Sequence, residues 1–211
     1  NQKTMDQVSI TDVSPYAAAD ADFTYRLKEL FDNELKEHDK LFGVFNDVEV
    51  PLIPVLVKMQ SNGVVLDDKI LQDMSSTLGI RLAQVEQDIL DTVGHSFMIS
   101  STQQLADVLF NELRLPKTKR TKTGYSTDAS VLENLKVMVN NGDTNDSDPR
   151  SLQILEGILE FRELAKLKST YVDALPLLVN EKTGRIHTSY NQTGSATGRI
   201  SSNYPNLQNI P

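Results

Sequence analysis

The chain contains no cysteine. That excludes a disulfide frame and any thiolate metal site, and it fits a reducing compartment. No apolar run of about 18 residues occurs, so the sequence offers no membrane-spanning helix, and no signal peptide is visible. No segment recurs with a period of about 20–50 residues, which removes solenoids and propellers. Positive charge is scarce: 21 Lys and Arg stand against 29 Asp and Glu, for a net charge of −8. A uniformly basic nucleic-acid binder is excluded, and any such contact must come from local basic patches.

What is present suffices for a core. Hydrophobic residues make up 39% of 211 positions, enough for one large domain or two small ones. Ser14-Pro15 resembles a helix start, with Ser as cap and Pro in the first turn. Ala19, Phe23, Leu27, Leu30, Phe31 and Leu35 follow at three- and four-residue steps, so a helix is expected from about Pro15 to about His38. From Leu41 to Met59 a helical face is interrupted by Pro51 and Pro54, which predicts a break or kink. Asn62-Gly63 is the turn signal that ends it.

The strongest periodicity is Leu71, Met74, Leu78, Leu82, Val85, Ile89 and Val93, one long amphipathic helix with Gly79 in its middle. A second stripe runs through Leu152, Leu155 and Leu159 beside Ile154, Ile158, Phe161 and Ala165. Two such helices are expected to bury their stripes on each other as an antiparallel pair. Between them a short helix begins at Ser101, with Gln104 at capping-box spacing. Another is expected from about Asp128 to about Val139. Asn140 to Pro149 resembles a polar, flexible connector, whose acids lack the Gly and Glu spacing of a calcium loop. Leu177–Val179, a turn at Asn180–Gly184 and Arg185–Tyr190 predict a strand, turn and strand. His187 alternates with its neighbours as a packed residue and has no acidic partner nearby in sequence, so it is not taken as a base.

Two basic clusters stand out in an acidic chain. Arg114, Lys117, Lys119, Arg120 and Lys122 fall within nine residues without an acid, among Gly, Pro, Thr and Ser. Such a loop suits phosphate contact, or is simply a solvated charged loop. Arg162, Lys166 and Lys168 sit at the C-terminal end of the second long helix. Cations there favour the helix dipole, and both roles are compatible.

The last stretch is the most specific. Thr197-Gly198-Arg199-Ile200-Ser201-Ser202, followed by Pro205-Asn206-Leu207-Gln208-Asn209-Ile210-Pro211, resembles the palm-opening signature of family A DNA polymerases, with Ile200 in place of Leu. Phe161–Tyr171 resembles the end-of-thumb motif of the same family, and the basic loop through Ser126-Thr127 its Lys-rich thumb loop. Tyr16 and Asp20, four apart on one helical face, resemble the last motif of the family's 3′→5′ exonuclease domain.

The resemblance implies a mainly α fold: long antiparallel thumb helices and a small β-hairpin at the start of the palm. It divides the chain into an exonuclease-like end at 1–40, a connector at 41–70, a thumb at 71–175 and the start of the palm at 176–211. It implies minor-groove donors at Arg199 and Gln208, which suit acceptors that lie at similar places in every base pair. Arg162 and Lys166 would grip the DNA backbone, and Lys117, Lys119, Arg120 and Lys122 would meet phosphates. Asn206 and Asn209 either touch DNA or cap their own turn. Tyr16 would position water and Asp20 would bind a metal ion, with the partner acidic motif expected upstream and no exonuclease activity from this polypeptide. The expected parent enzyme, a monomer in the bacterial cytoplasm with no membrane association, adds deoxynucleotides to a primer–template with Mg2+ held by aspartates beyond Pro211. The 211 residues read as a piece of that enzyme, inactive alone. The alternative from another class is a non-enzymatic helical module that binds a protein partner. An independent nuclease would need at least two more acidic motifs.

Overall fold

The computed structural model describes residues 4–117, 119–121, 124–144 and 147–211. Its contacts divide the chain into two units: Asn1–Asn62 with Tyr190–Ser201, and Gly63–Ser189 with Ser202–Pro211.

In the first unit, α1 spans Ile10–Lys36, starting five residues before the expected Pro15. Ser9 is the actual cap. Its hydroxyl oxygen accepts from the Asp12 amide at 3.2 Å and donates to the Asp12 carboxylate at 2.6 Å. This local capping outcompetes Ser14-Pro15, and Pro15 is carried inside the helix, where Ser14 donates its hydroxyl to the Ile10 carbonyl. Next come α2 (Asp39–Val44), a π-turn (Phe45–Glu49) and α3 (Val50–Asn62). The expected break takes the form of this π-turn, which ends two residues before Pro51, while Pro54 is carried inside α3. A proline removes one i→i−4 donor and its ring crowds the preceding turn, and an i→i−5 turn relieves that crowding. Gly63, with φ of 64°, follows the end of α3 as the Asn-Gly signal predicts.

The second unit holds the core. Helix α4 (Asp68–Val93) is capped by the Asp67 carboxylate on the Ile70 amide and ends at Gly94 with φ of 92°. Helix α7 (Ser151–Leu167) runs antiparallel to it. Thr92, near the end of α4, meets Arg150 and Gln153 at the start of α7; Ser75, near the start of α4, meets Lys168 just past the end of α7. Val85, Ile89 and Val93 of α4 and Ile154, Leu155 and Ile158 of α7 are buried, as the two stripes predict, whereas earlier in the α4 stripe Leu71, Leu78 and Leu82 are half-buried and Met74 is exposed. Each such side chain contributes about 1.5–3 kcal/mol by leaving water. Gly157 permits the close approach: a Cβ there would lie 2.9 Å from Ile89 Cγ1. Helix α6 (Ala129–Asn141) adds Val131, Leu132 and Leu135 to the same cluster. Helix α5 (Thr102–Asp107), continued by a π-turn at Val108–Glu112, adds Leu105, Val108, Leu109 and Phe110. The Ser101 hydroxyl caps α5 on the Gln104 amide, but the Gln104 side chain accepts from the Met98 amide, so only half of the capping box forms.

Three expectations are corrected. The basic segment is not plain loop: β1 (Arg120–Thr121) pairs antiparallel with β2 (Gly124–Tyr125), with Gly124 at φ of 148°. The strand expected at Leu177–Val179 is instead a 3-10 turn, Leu175–Leu178, because Pro176 lies in its first turn and starts a helical bend. Arg185 and Ile186 then make isolated bridges to Asn180 and Val64, and the strands are β3 (Ser189–Asn191) and β4 (Ser201–Asn203), which form a two-stranded sheet. Lastly, the described residues of the 140–149 connector are tied down. The Asp148 amide donates to the Leu113 carbonyl, and Arg150 grips the Asp148 carboxylate while donating to the carbonyls of Thr92 and Val93 at the end of α4.

Candidate nucleic-acid interface

Each candidate belongs to one unit and is described within it. In the second unit, Lys166 lies on the exposed side of the last turns of α7. It lines a groove of about 210 Å³ with Glu163, Leu167, Tyr171, Asn209 and Pro211. The Tyr171 hydroxyl donates to the Asn209 carbonyl at 2.6 Å, which holds the segment after β4 against the turn that follows α7. The fold therefore brings Lys166 and Asn209 together from residues 43 positions apart.

The segment carrying Asn206, Gln208 and Asn209 is built on two buried hydroxyls that the sequence does not single out. Ser202, 5% exposed, accepts from the amides of Leu207 and Gln208 at 3.0 and 3.1 Å. Thr188, 4% exposed, directs its hydroxyl to the carbonyls of Asn203 and Pro205. The Asn206 carboxamide oxygen accepts from the amides of Gln208 and Asn209. That is an Asx turn, one of the two roles left open for Asn206. With their backbone held, the side chains of Gln208 and Asn209 are exposed to solvent. Burying Ser and Thr to fix a loop leaves no periodic trace, so Thr188 carries no signal in the sequence, and Ser202 shows only as the last residue of the Thr197–Ser202 motif.

The basic cluster is ordered by its surroundings. Lys117 Nζ lies 5.5 Å from the centre of the Tyr125 ring, which itself tilts against Phe110 at 5.5 Å. The Ser126 amide donates to the Lys119 carbonyl and closes the base of the β1–β2 hairpin. Lys119 Nζ stands 3.9 Å from the Asp128 carboxylate, with both side chains about two-thirds exposed. Arg120 is exposed on β1. Lys122 lies outside the described residues.

Arg162 is half-buried. Its Nη1 donates to the Thr127 carbonyl and its Nη2 to the Thr127 hydroxyl at 3.2 Å. Burial pushes the guanidinium below its ordinary pKa, and the Asp128 charge pulls the other way. Lys168, at the same helix end, donates to Ser75 and Asp173 at 2.8 and 2.7 Å. Those bonds hold the Asp173 carboxyl below its usual range.

In the first unit, Arg199 follows Gly198, at φ of 74°, in the exposed turn between β3 and β4. Tyr16 and Asp20 lie one turn apart on exposed positions of α1. Among the described residues no three His, Asp or Glu come together in a way that could hold a metal ion. Among the described residues Asp20 is thus not joined by two further His, Asp or Glu side chains. No helix among the described residues is long and apolar enough to cross a membrane.

Exposed cations and amides on a packed helical frame agree with what the chain resembles. Residues 68–211 match the DNA polymerase family A. The chain belongs to this family. It is 45% identical over 210 residues to DNA polymerase I of Chloroflexus aurantiacus, covering 97% of this chain and 21% of that protein. It is 45% identical over 188 residues to the thermostable DNA polymerase I of Thermus thermophilus, covering 88% and 21%. Among solved structures it resembles the POL domain of Pol1 from M. smegmatis in complex with DNA primer-template and dNTP. The TM-score is 0.73 at 37% identity, over 89% of this chain and 30% of that one. The family A chain thus spans about a fifth of the length of the curated relatives it matches. The mainly α fold expected from the sequence is the fold found.

Proposed function

We propose that this chain is the duplex-gripping part of a DNA polymerase I, whose parent enzyme transfers a deoxynucleotide from a dNTP to a primer 3′-hydroxyl. The family match carries the reading: its matched stretch, 68–211, contains every proposed DNA contact. On it, 71–175 corresponds to a thumb whose Lys166 and basic hairpin (Lys117, Lys119, Arg120 and Lys122) meet phosphates, with Arg162 beside them, and 176–211 to the start of a palm. Gln208, Asn206, Asn209 and Arg199 belong to the start of a palm that reads the minor groove. α1, with Tyr16 and Asp20, is the end of an exonuclease-like region. Groove donors meet acceptors common to all base pairs, so binding is blind to sequence. Magnesium supplies the parent's phosphoryl-transfer chemistry. The residues described here bind and orient DNA, and no chemical step is assigned to them. The relatives' hosts suggest the bacterial cytoplasm, and a monomer is expected.

The test is binding of this chain to a labelled primer–template duplex at several salt concentrations. Four or five phosphate contacts give a slope of log affinity against log salt of roughly −4. Replacing Lys119, Arg120 and Lys166 together with Ala should flatten that slope by about 3. Absence of duplex affinity, or a slope indifferent to the three changes, would sink the assignment and favour a protein-binding helical module.

A further inference from the structure

The Arg162 guanidinium points both Nη nitrogens at one residue, Thr127, which is 5% exposed. Thr127 is 35 residues away in sequence and stands at a particular place. It directly follows Ser126, whose amide closes the β1–β2 hairpin on the Lys119 carbonyl and whose hydroxyl accepts from the Asp128 amide. Among the described residues the hairpin is held by Tyr125 on Phe110 and by Thr127 on Arg162. Arg162 lies on α7 one turn before Lys166. The planar guanidinium fork can engage a carbonyl and a hydroxyl of one residue together, which an ammonium cannot do with the same geometry.

We propose that Arg162 is a positioning residue: through Thr127 it holds the basic hairpin on α7, and so sets where Lys119 and Arg120 stand with respect to Lys166. This rests on the duplex-binding reading above, and it departs from that reading in one respect. The cation that resembles a backbone grip contributes by placing other cations.

The experiment uses the same duplex titration with Arg162→Lys, with Lys119→Ala/Arg120→Ala, and with the three changes combined. Lysine keeps the charge but not the fork. A strut predicts that Arg162→Lys flattens the salt slope by about 2, the share of two phosphate contacts at about 0.9 each. It also predicts no further flattening when Arg162→Lys is added to the double variant, because coupled residues are non-additive. A direct phosphate contact predicts that lysine keeps the slope in both backgrounds, which overturns the proposal. A second measurement needs no DNA. Exchange of the Ser126 amide proton should accelerate on the order of 10-fold in Arg162→Lys, as a local opening event. Thr127→Val keeps the arginine and the packed volume, so it serves if Arg162→Lys fails to fold, and it should move exchange the same way by a smaller factor. Unchanged exchange in both variants overturns the proposal. If the unaltered chain binds no duplex, the functional reading falls while the exchange measurement still decides the strut.

Discussion

The two units differ in what their helices cover. In the second, α4, α6 and α7 with the turn after α5 bury one continuous cluster, from Val85 to Ile158. In the first, Leu56 is the one buried hydrophobic side chain among the described residues. α1 is 27 residues long with a clear apolar stripe, yet Phe23, Leu27, Leu30 and Phe31 are 62, 49, 52 and 50% exposed. Equal periodicity has therefore produced helix in both places and a core in only one. An amphipathic pattern specifies a helix and a face; a partner decides whether that face leaves water.

The largest expected effect separates the units by truncation. Leu155→Ala or Leu132→Ala, each at a position with no exposure, should cost about 2–5 kcal/mol in denaturant unfolding. Phe31→Ala on α1 should fall within about 0.5 kcal/mol. Equal costs would break the comparison.

Glycine provides the next contrast. Gly157→Ala forces a Cβ to within 2.9 Å of Ile89 and should destabilise by about 1–3 kcal/mol. Gly43→Ala, in α2, meets nothing nearer than 3.9 Å and should be neutral or stabilise by up to about 1 kcal/mol through helix propensity. Thermal midpoints of the two variants, moving in opposite directions, would sharpen the distinction.

Acid should act on the second unit. The Arg150 guanidinium and amide hold Asp148 at a pKa of about 2, below its ordinary 3.8. A lowered folded-state value contributes stability above about pH 4 that is lost as pH falls towards 2. The thermal midpoint should therefore drop over that window, less so in Asp148→Asn.

The smallest effect has the opposite sign. Glu112, 2.8 Å from His95, raises the imidazole above its ordinary 6.5. Its stabilisation is complete below pH 6.5 and fades as pH rises through the raised value. Both groups are exposed, so only a slight flattening of the pH profile is expected in His95→Gln.

Much of this was legible in the residues. The α4 and α7 stripes marked both helices, because a 3.6-residue repeat is a local property that many side chains state together, but along α4 only Val85, Ile89 and Val93 of the stripe are buried. The Pro51 break and the Gly63 stop were legible for the same reason, since each is the conformational consequence of one residue type. The start of α1 was misplaced because two Ser caps compete, and the better one also had Asp12 to bond. The strand expected at Leu177 failed because alternation over three residues is weaker than one Pro in a helical first turn.

The sequence by itself determined the family, the long helices and which cations and amides stand out in an acidic chain, because these follow from motif, periodicity and charge along the chain. Only the tertiary structure decided how those residues are used. Arg162 spends its fork on Thr127, Lys168 turns to Ser75 93 residues away, and Lys166 shares a groove with Asn209. A donor bonds to whatever acceptor the packing of α4, α6 and α7 brings within about 3 Å, and distance along the chain carries no record of that choice.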